Sequence, residues 1–146
     1  MRRHWALAVL ALLVAALAIA AVGCDDDEDG NGDEPADEVS VEILAPEAGA
    51  TVAGPVTIEV SASGVEIAGA GDLVEGAAHY HAFVDQDPVA EGEVVPSEED
   101  AIIHFAAGTQ ELELEPGEHT VTVVLGSNDH IRLAGVPAAT VTFTVE

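Results

Sequence analysis

Positive charge is almost absent from this chain. It contains no lysine, and Arg132 is the one arginine that follows Arg3. All 28 acidic residues come after Cys24, so the chain beyond that cysteine has a large negative formal charge. A surface of this sign repels phosphate groups. We therefore exclude nucleic acid as a partner. A halophilic source and a GC-rich genome would each account for the missing lysine.

Cysteine is nearly absent as well. Cys24 is the only cysteine among the 146 residues, so no disulfide can form within the chain. The sequence also lacks a nucleophile elbow, a zinc-protease helix and a phosphate-binding loop. Because no catalytic pattern of these kinds is present, we do not expect an enzyme.

The N-terminus has the layout of a secretory signal. Two arginines precede an apolar run from Trp5 to Val22, and the string AVGC follows on directly to end at Cys24. This string resembles the bacterial lipobox, whose cysteine receives diacylglycerol. We expect a lipoprotein-type signal peptide at residues 1–23 and lipidation of Cys24, which would anchor an exported protein at the outer face of the cytoplasmic membrane or in the cell envelope. An uncleaved membrane helix is the alternative, since the apolar run has about 18 residues.

Residues 24–38 form an acidic segment, CDDDEDGNGDEPADE, with no apolar run. Like charges in such a block repel one another and extend the backbone. We expect a disordered linker here, between the anchor and a folded domain at residues 39–146. A calcium loop is not expected, because a glutamate at loop position twelve and flanking helices are both missing.

Alternation of apolar and polar residues dominates residues 39–146. Segments such as VTIEVS at 56–61 and TVTFTV at 140–145 place an apolar residue at every second position, and Gly and Pro turns separate them. This period is typical of half-buried strands. About seven such strands predict an all-β fold, an antiparallel immunoglobulin-like β-sandwich. The longest irregular stretch, Gln86–Ala101, is acidic, and loops of that length are usually functional or mobile.

The string AAHYHAFVD at 77–85 contains a pair of histidines two positions apart. In a strand, His79 and His81 share one face with Cα atoms roughly 6.5 Å apart, close enough for both imidazoles to hold one ion. Asp85 has the same parity. The alternate positions, from Ala78 to Val84, form an apolar face that we expect to pack in the core.

Three further histidines belong to the same domain. We expect His104, in IIHF, and His130, in the loop LGSNDHIRLAG, to converge with the pair at one end of the sandwich, although His104 could equally be a half-buried histidine with satisfied hydrogen bonds. Asp85 is a candidate oxygen ligand or a partner of a ligand. His119 has the parity of Val121, so we expect it to point inward and to hydrogen-bond the preceding turn, as a tyrosine corner does. Imidazole suits copper or zinc better than calcium or magnesium. The predicted metal ligands are His79, His81, His104 and His130.

The runs PEAGATVAGP, HYHAFVD, IIHFAAGTQ, LEPGEH and LGSNDHI in combination resemble a bacterial exported family catalogued as domain of unknown function 4399, over residues 44 to 145. The resemblance implies a sandwich fold and a histidine pattern, and it supplies no mechanism. Members of that family typically carry a further histidine and a proline pair just after the position of His130. Arg132, Leu133 and Ala134 stand there in this chain, so a site that needs the extra histidine would be altered or absent.

The stretch LEPGEHTVTVVLGSNDHIRLAG also looks like the late strand and loop of CopC-like periplasmic copper carriers. That resemblance implies that His130 is a copper ligand. Those carriers also use an N-terminal histidine, which a lipidated start at Cys24 would exclude. Other histidines would have to replace it.

Three functions fit these patterns. The leading hypothesis is an exported, lipid-anchored β-sandwich that binds copper or zinc as a carrier, buffer or sensor. The second is a metal-free envelope module, in which the histidines are structural and the acidic loop meets a protein partner. The third is a cupin-like metalloenzyme, since the histidine pair followed by Asp85 and Gly92 approaches the first cupin motif. Leu73 stands at the leading glycine of that motif, however, and Pro116 to His119 misses the spacing of the second.

Overall fold

The computed structural model describes residues 37–69, 72 and 74–146, and all regular structure within them is β. The predicted signal peptide at 1–23, Cys24 and most of the predicted linker lie outside the described residues. Within those residues, no helix is long and apolar enough to cross a membrane. The strands are β1 Ser40–Ala45, β2 Thr51–Val52, β3 Val56–Ser63, β4 Ala78–Val84, β5 Ile102–Phe105, β6 Thr109–Leu112, β7 Gly117–Ser127 and β8 Ala139–Val145.

The strands form two sheets. The smaller sheet has the order β1-β3-β6, and the larger has the order β2-β8-β7-β4-β5. Neighbouring strands are antiparallel except for the two-residue strand β2, which runs parallel to β8. The predicted β-sandwich is therefore confirmed, with eight strands in the described residues where the alternation indicated about seven.

Apolar residues from both sheets meet in the space between them. Ile58 on β3 is fully buried, and Val123 on β7 and Phe143 on β8 are at most 1% exposed. Thr57 and Glu59, which alternate with Ile58, are exposed. Burying one large apolar side chain on folding stabilises the folded state by about 1.5–3 kcal/mol. Along these strands, the apolar positions of the period-two pattern thus face the core, and the alternate positions face solvent.

Strand β4 is buried on both of its faces. Ala78, Tyr80 and Ala82 pack in the main core, as predicted. On the opposite, outer face of the five-stranded sheet, Phe83 belongs to a second apolar cluster with Val95, Ile102 and Val124. A strand that is buried on both faces favours apolar or uncharged side chains at every position, and the sequence AHYHAFV of β4 fits this rule.

Two irregular segments cover this outer face: the acidic loop, residues 86–101, and the His130 loop, residues 128–138. The amide of Val95 donates to the carbonyl of His130 over 2.7 Å, and the amide of Arg132 donates to the carbonyl of Glu93 over 2.9 Å. Val94 and Ile131 pair as an antiparallel bridge between the loops. Because their backbones hydrogen-bond to each other, the two loops form one layer over the sheet.

Candidate metal centre

Four histidines meet beneath the two loops. His79 and His81 lie on β4, two positions apart, so both point to the outer face of the sheet. His104 on β5 stands directly opposite His81 in the antiparallel register. His130 lies in the turn after β7, where it adopts a left-handed backbone conformation with φ 60°. The structure thus brings together the four predicted ligands on the outer face of the larger sheet, near the start of β4 and the end of β7.

The rings of this four-histidine group are close together. The centroid distances are 4.3 Å between His79 and His81, and 4.5 Å between His81 and His104. His130 lies 4.9 Å from His79 and 5.0 Å from His104. One nitrogen from each ring lies within 4.8 Å of the corresponding nitrogen of every other. Four nitrogens bound to one zinc ion in a tetrahedron are about 3.4 Å apart, so small side-chain rotations would close the group around an ion.

The hydrogen bonds of the group are incomplete. His79 is 1% exposed and His81 is fully buried, yet no ring nitrogen of either has a hydrogen-bond partner among the residues that the structure describes. Buried polar atoms of this kind normally have partners, because an unsatisfied one costs about 1–3 kcal/mol. Paired imidazoles with four such nitrogens in one place have the donor set of a metal site.

His104 is held in one tautomer by the acidic loop. Its Nε2 lies 3.1 Å from the carbonyl oxygen of Pro96, which can only accept, so Nε2 carries the hydrogen and donates it. The lone pair then belongs to Nδ1, which has no partner within the described part of the chain. A carbonyl that orients a histidine through its second nitrogen is a common feature of metal sites. The sequence does not predict the role of Pro96, since no local pattern marks a loop carbonyl that accepts a hydrogen bond from a histidine on a strand.

Burial favours the neutral form of His79, His81 and His104. Burial lowers the pKa of His79 from 6.5 to about 4, and the neighbouring His130 and His104 add to the effect. Burial and the proximity of His79 lower the pKa of His81 to about 2. Burial also lowers the pKa of His104, although its hydrogen bond to Pro96 acts in the opposite direction. Neutral rings offer lone pairs, which is the form that binds a metal ion.

Asp85 lies apart from the four histidines with which the prediction grouped it. It follows β4 with a left-handed backbone, φ 54°, which ends the alternation that would have placed it beside the histidines. Its carboxylate accepts hydrogen bonds from the amide of Thr120 at 2.8 Å and from Nδ1 of His119 at 2.7 Å. It is not part of the four-histidine group. The structure thus places Asp85 beside His119 and apart from this group, whereas its parity had predicted an oxygen ligand or a partner of a ligand.

His119 is the corner residue that its position predicts. Its Nε2 lies 2.7 Å from the carbonyl oxygen of Glu115 in the preceding turn, and its Nδ1 faces Asp85. Both partners are acceptors, so both ring nitrogens must carry hydrogens for both bonds to form. The hydrogen bond to Glu115, followed by the one to Asp85, therefore raises the pKa of His119. Both nitrogens of this ring have hydrogen-bond partners in the protein, and one of these partners lies in the preceding turn, where the corner position predicts it.

An all-β sandwich with a four-histidine group on one face, two of whose members are buried, is the class of protein that these observations define. The family model described as Domain of unknown function (DUF4399) matches residues 58–146, more than half of the chain, and the chain belongs to this family. The matched region contains all four histidines of the group. No curated protein sequence matches the chain.

Among solved structures, the fibronectin(III)-like modules of Clostridium thermocellum CbhA are similar to this chain, with 18% sequence identity and a TM-score of 0.43. The alignment covers 73% of this chain and 95% of that one.

Proposed function

We propose that this protein is an exported, lipid-anchored β-sandwich that binds one copper or zinc ion and carries, buffers or senses it. The observation that supports this proposal is the convergence of four imidazole nitrogens within 4.8 Å of one another. Most of these nitrogens are buried and have no partner among the described residues. The ligands would be His79, His81, His104 and His130.

The donor set favours copper or zinc among the common metals. All four ligands are imidazoles, whereas calcium and magnesium prefer oxygen and are poorly served by such a site. Copper(II) binds nitrogen ligands more tightly than zinc does, in line with the general order of divalent affinities. We therefore expect copper to be retained in competition with zinc. No thiolate or thioether contributes to the group, which argues against selection of copper(I).

Holding the ion fits the geometry better than catalysis. Catalytic zinc sites keep three protein ligands and one open position, whereas closed sites use four. Here four ligands are available, and the two on β4 are buried under the acidic loop and the His130 loop. A bound ion would be enclosed by protein nitrogens, so a carrier, buffer or sensor is the expected role.

Export and anchoring are the part of the proposal that rests on residues 1–38 alone. The apolar run before Cys24 and the acidic segment after it support a lipid anchor followed by a spacer. The membrane would be reached through this anchor or through an uncleaved helix. The acidic surface beyond Cys24 would concentrate cations near the domain. This raises the local supply of the ion without defining a site.

The proposal is tested by native mass spectrometry of the full chain, extracted in mild detergent and loaded with equimolar copper(II) and zinc before free ions are removed. We expect one ion per chain, mostly copper. The variant H79A/H81A should retain none, whereas H119A, which also removes a domain histidine, should retain one. A metal-free parent protein would overturn the proposal and would favour the metal-free envelope module, with the acidic loop as the surface that meets a partner.

A further inference from the structure

Gly126 stands in the interior of β7 beside the four-histidine group. It pairs with His79 in the antiparallel register, and Val124, its neighbour on the same face, pairs with His81. A glycine inside a strand weakens it, because it contributes no packing and loses more backbone entropy than other residues. The backbone does not require a glycine here, since the φ of Gly126 lies outside the left-handed region. Its presence therefore needs another reason.

The reason is the position of the His81 ring. A Cβ added to Gly126 would lie 2.3 Å from Cε1 of His81, 2.7 Å from its Nδ1 and 3.3 Å from its Nε2. Carbon atoms in favourable contact are about 3.5–4.0 Å apart, so a methyl group here would overlap the ring by more than about 1 Å. The imidazole lies against the bare Cα of Gly126.

The ring has little room to move elsewhere. His81 is fully buried. The ring of His79, on the same strand, lies 4.3 Å from it, and the ring of His104, on β5, lies 4.5 Å from it. A side chain at position 126 would push the His81 ring away from β7, and its nitrogens would leave the arrangement that brings four of them together.

We propose that Gly126 is a positioning residue: by lacking a side chain, it seats the imidazole of His81 in the four-histidine group, and so completes the metal centre. The metal part of this inference rests on the proposed function. The contact itself does not, because it is a property of the protein alone.

The first measurement is the copper(II) affinity of G126A, determined on the full chain in detergent by competition with a chelator of known affinity. Substitutions that disturb the orientation of a metal ligand typically cost about 10- to 100-fold in affinity, and we expect a loss in this range. The number of nitrogens seen in the copper EPR spectrum should also fall below four. The matched control is G108A, a glycine in the turn before β6, where an added Cβ would meet only the carbonyl oxygen of Val60 at 3.4 Å. Affinity equal to that of the parent protein in G126A would overturn the inference.

The second measurement separates this inference from the proposed function. Melting temperatures of the metal-free parent chain, G126A, H81A and H81A/G126A form a double-mutant cycle. We expect G126A to lower the melting temperature in the parent chain and to have little effect once His81 is alanine, because the clash is then gone. If G126A alone does not fold, recovery of folding in H81A/G126A would equally show that the effect of the added methyl group depends on the His81 ring. An equal loss in both backgrounds would overturn the inference, whereas intact coupling in a protein that binds no metal would overturn the proposed function only.

Discussion

The two kinds of histidine environment in this domain contrast sharply. His119 lies at a corner of the sandwich, where an acceptor faces each ring nitrogen and the pKa is raised. His79 and His81 lie under two loops, where no ring nitrogen has a partner in the described residues and the pKa values are lowered to about 4 and about 2. The protein thus supplies hydrogen-bond partners for both ring nitrogens of His119, and within the described residues it supplies none for those of His79 and His81.

This contrast shows how a structural histidine can be told from a candidate ligand. Burial alone does not decide, because a side chain that is mostly buried can either have all its hydrogen-bond partners, as His119 has, or have none, as is the case for His81 among the described residues. The decision comes from the donors and acceptors around each ring. A ring whose nitrogens all face acceptors has no lone pair to offer, whereas neutral rings without partners that face one another have one each.

The largest expected effect is stabilisation by metal. An ion present at a thousand times its Kd raises the free energy of unfolding by about 4 kcal/mol. Copper(II) should therefore raise the urea midpoint of the parent protein and of H119L, and it should leave that of H79A/H81A unchanged. An equal shift in all three proteins would mean that the ion binds elsewhere.

Two smaller effects, opposite in sign to each other, are expected for substitutions in the two environments when a chelator is present. H79L removes two buried nitrogens without partners and keeps a side chain of similar size, so it should raise the free energy of unfolding by about 1 kcal/mol or more. H119L removes two hydrogen bonds and should lower it by about 1–2 kcal/mol. Urea unfolding of both variants measures this. Similar losses in both would remove the distinction between the two environments.

The smallest effect concerns the pH dependence of the corner. The pKa of His119 is raised above 6.5, so its stabilising contribution is full below pH 6.5 and is lost as the pH rises through the raised value. For Asp85, burial raises the pKa, but the hydrogen bonds from Thr120 and His119 lower it below 3.8 overall. Its contribution is therefore present above pH 3.8 and is lost as the pH falls through the lowered value. The pair should contribute most between these limits.

Since Asp85 is 48% exposed, solvent screening keeps the pH-dependent part of this contribution below about 1 kcal/mol. The difference in stability between the parent protein and H119L should therefore be larger at about pH 5.5 than at about pH 8.5. The matched variant D85N should show the same trend. A difference that grows with rising pH would contradict the assignment of His119 as the protonated partner.

The sequence by itself determined the sandwich and the histidine pair. Alternation along β3, β7 and β8 follows directly from the pleat of a strand, which sends successive side chains to opposite faces. The same rule placed His79 and His81 together and away from the core. It also gave His119 the parity of the core residues, and its corner position followed from that. Each of these features depends on residues within a few positions of one another.

Only the tertiary structure decided which distant residues complete the group. The register between β4 and β5 sets His104 opposite His81, and the turn after β7 brings His130 over the sheet. The left-handed backbone at Asp85 ends the alternation and turns its carboxylate to His119, against the prediction. Gly126 meets His81 only because β7 and β4 are neighbours. Periodicity describes the face of one strand, whereas these contacts depend on strand pairing and loop paths that bring together residues far apart in the chain.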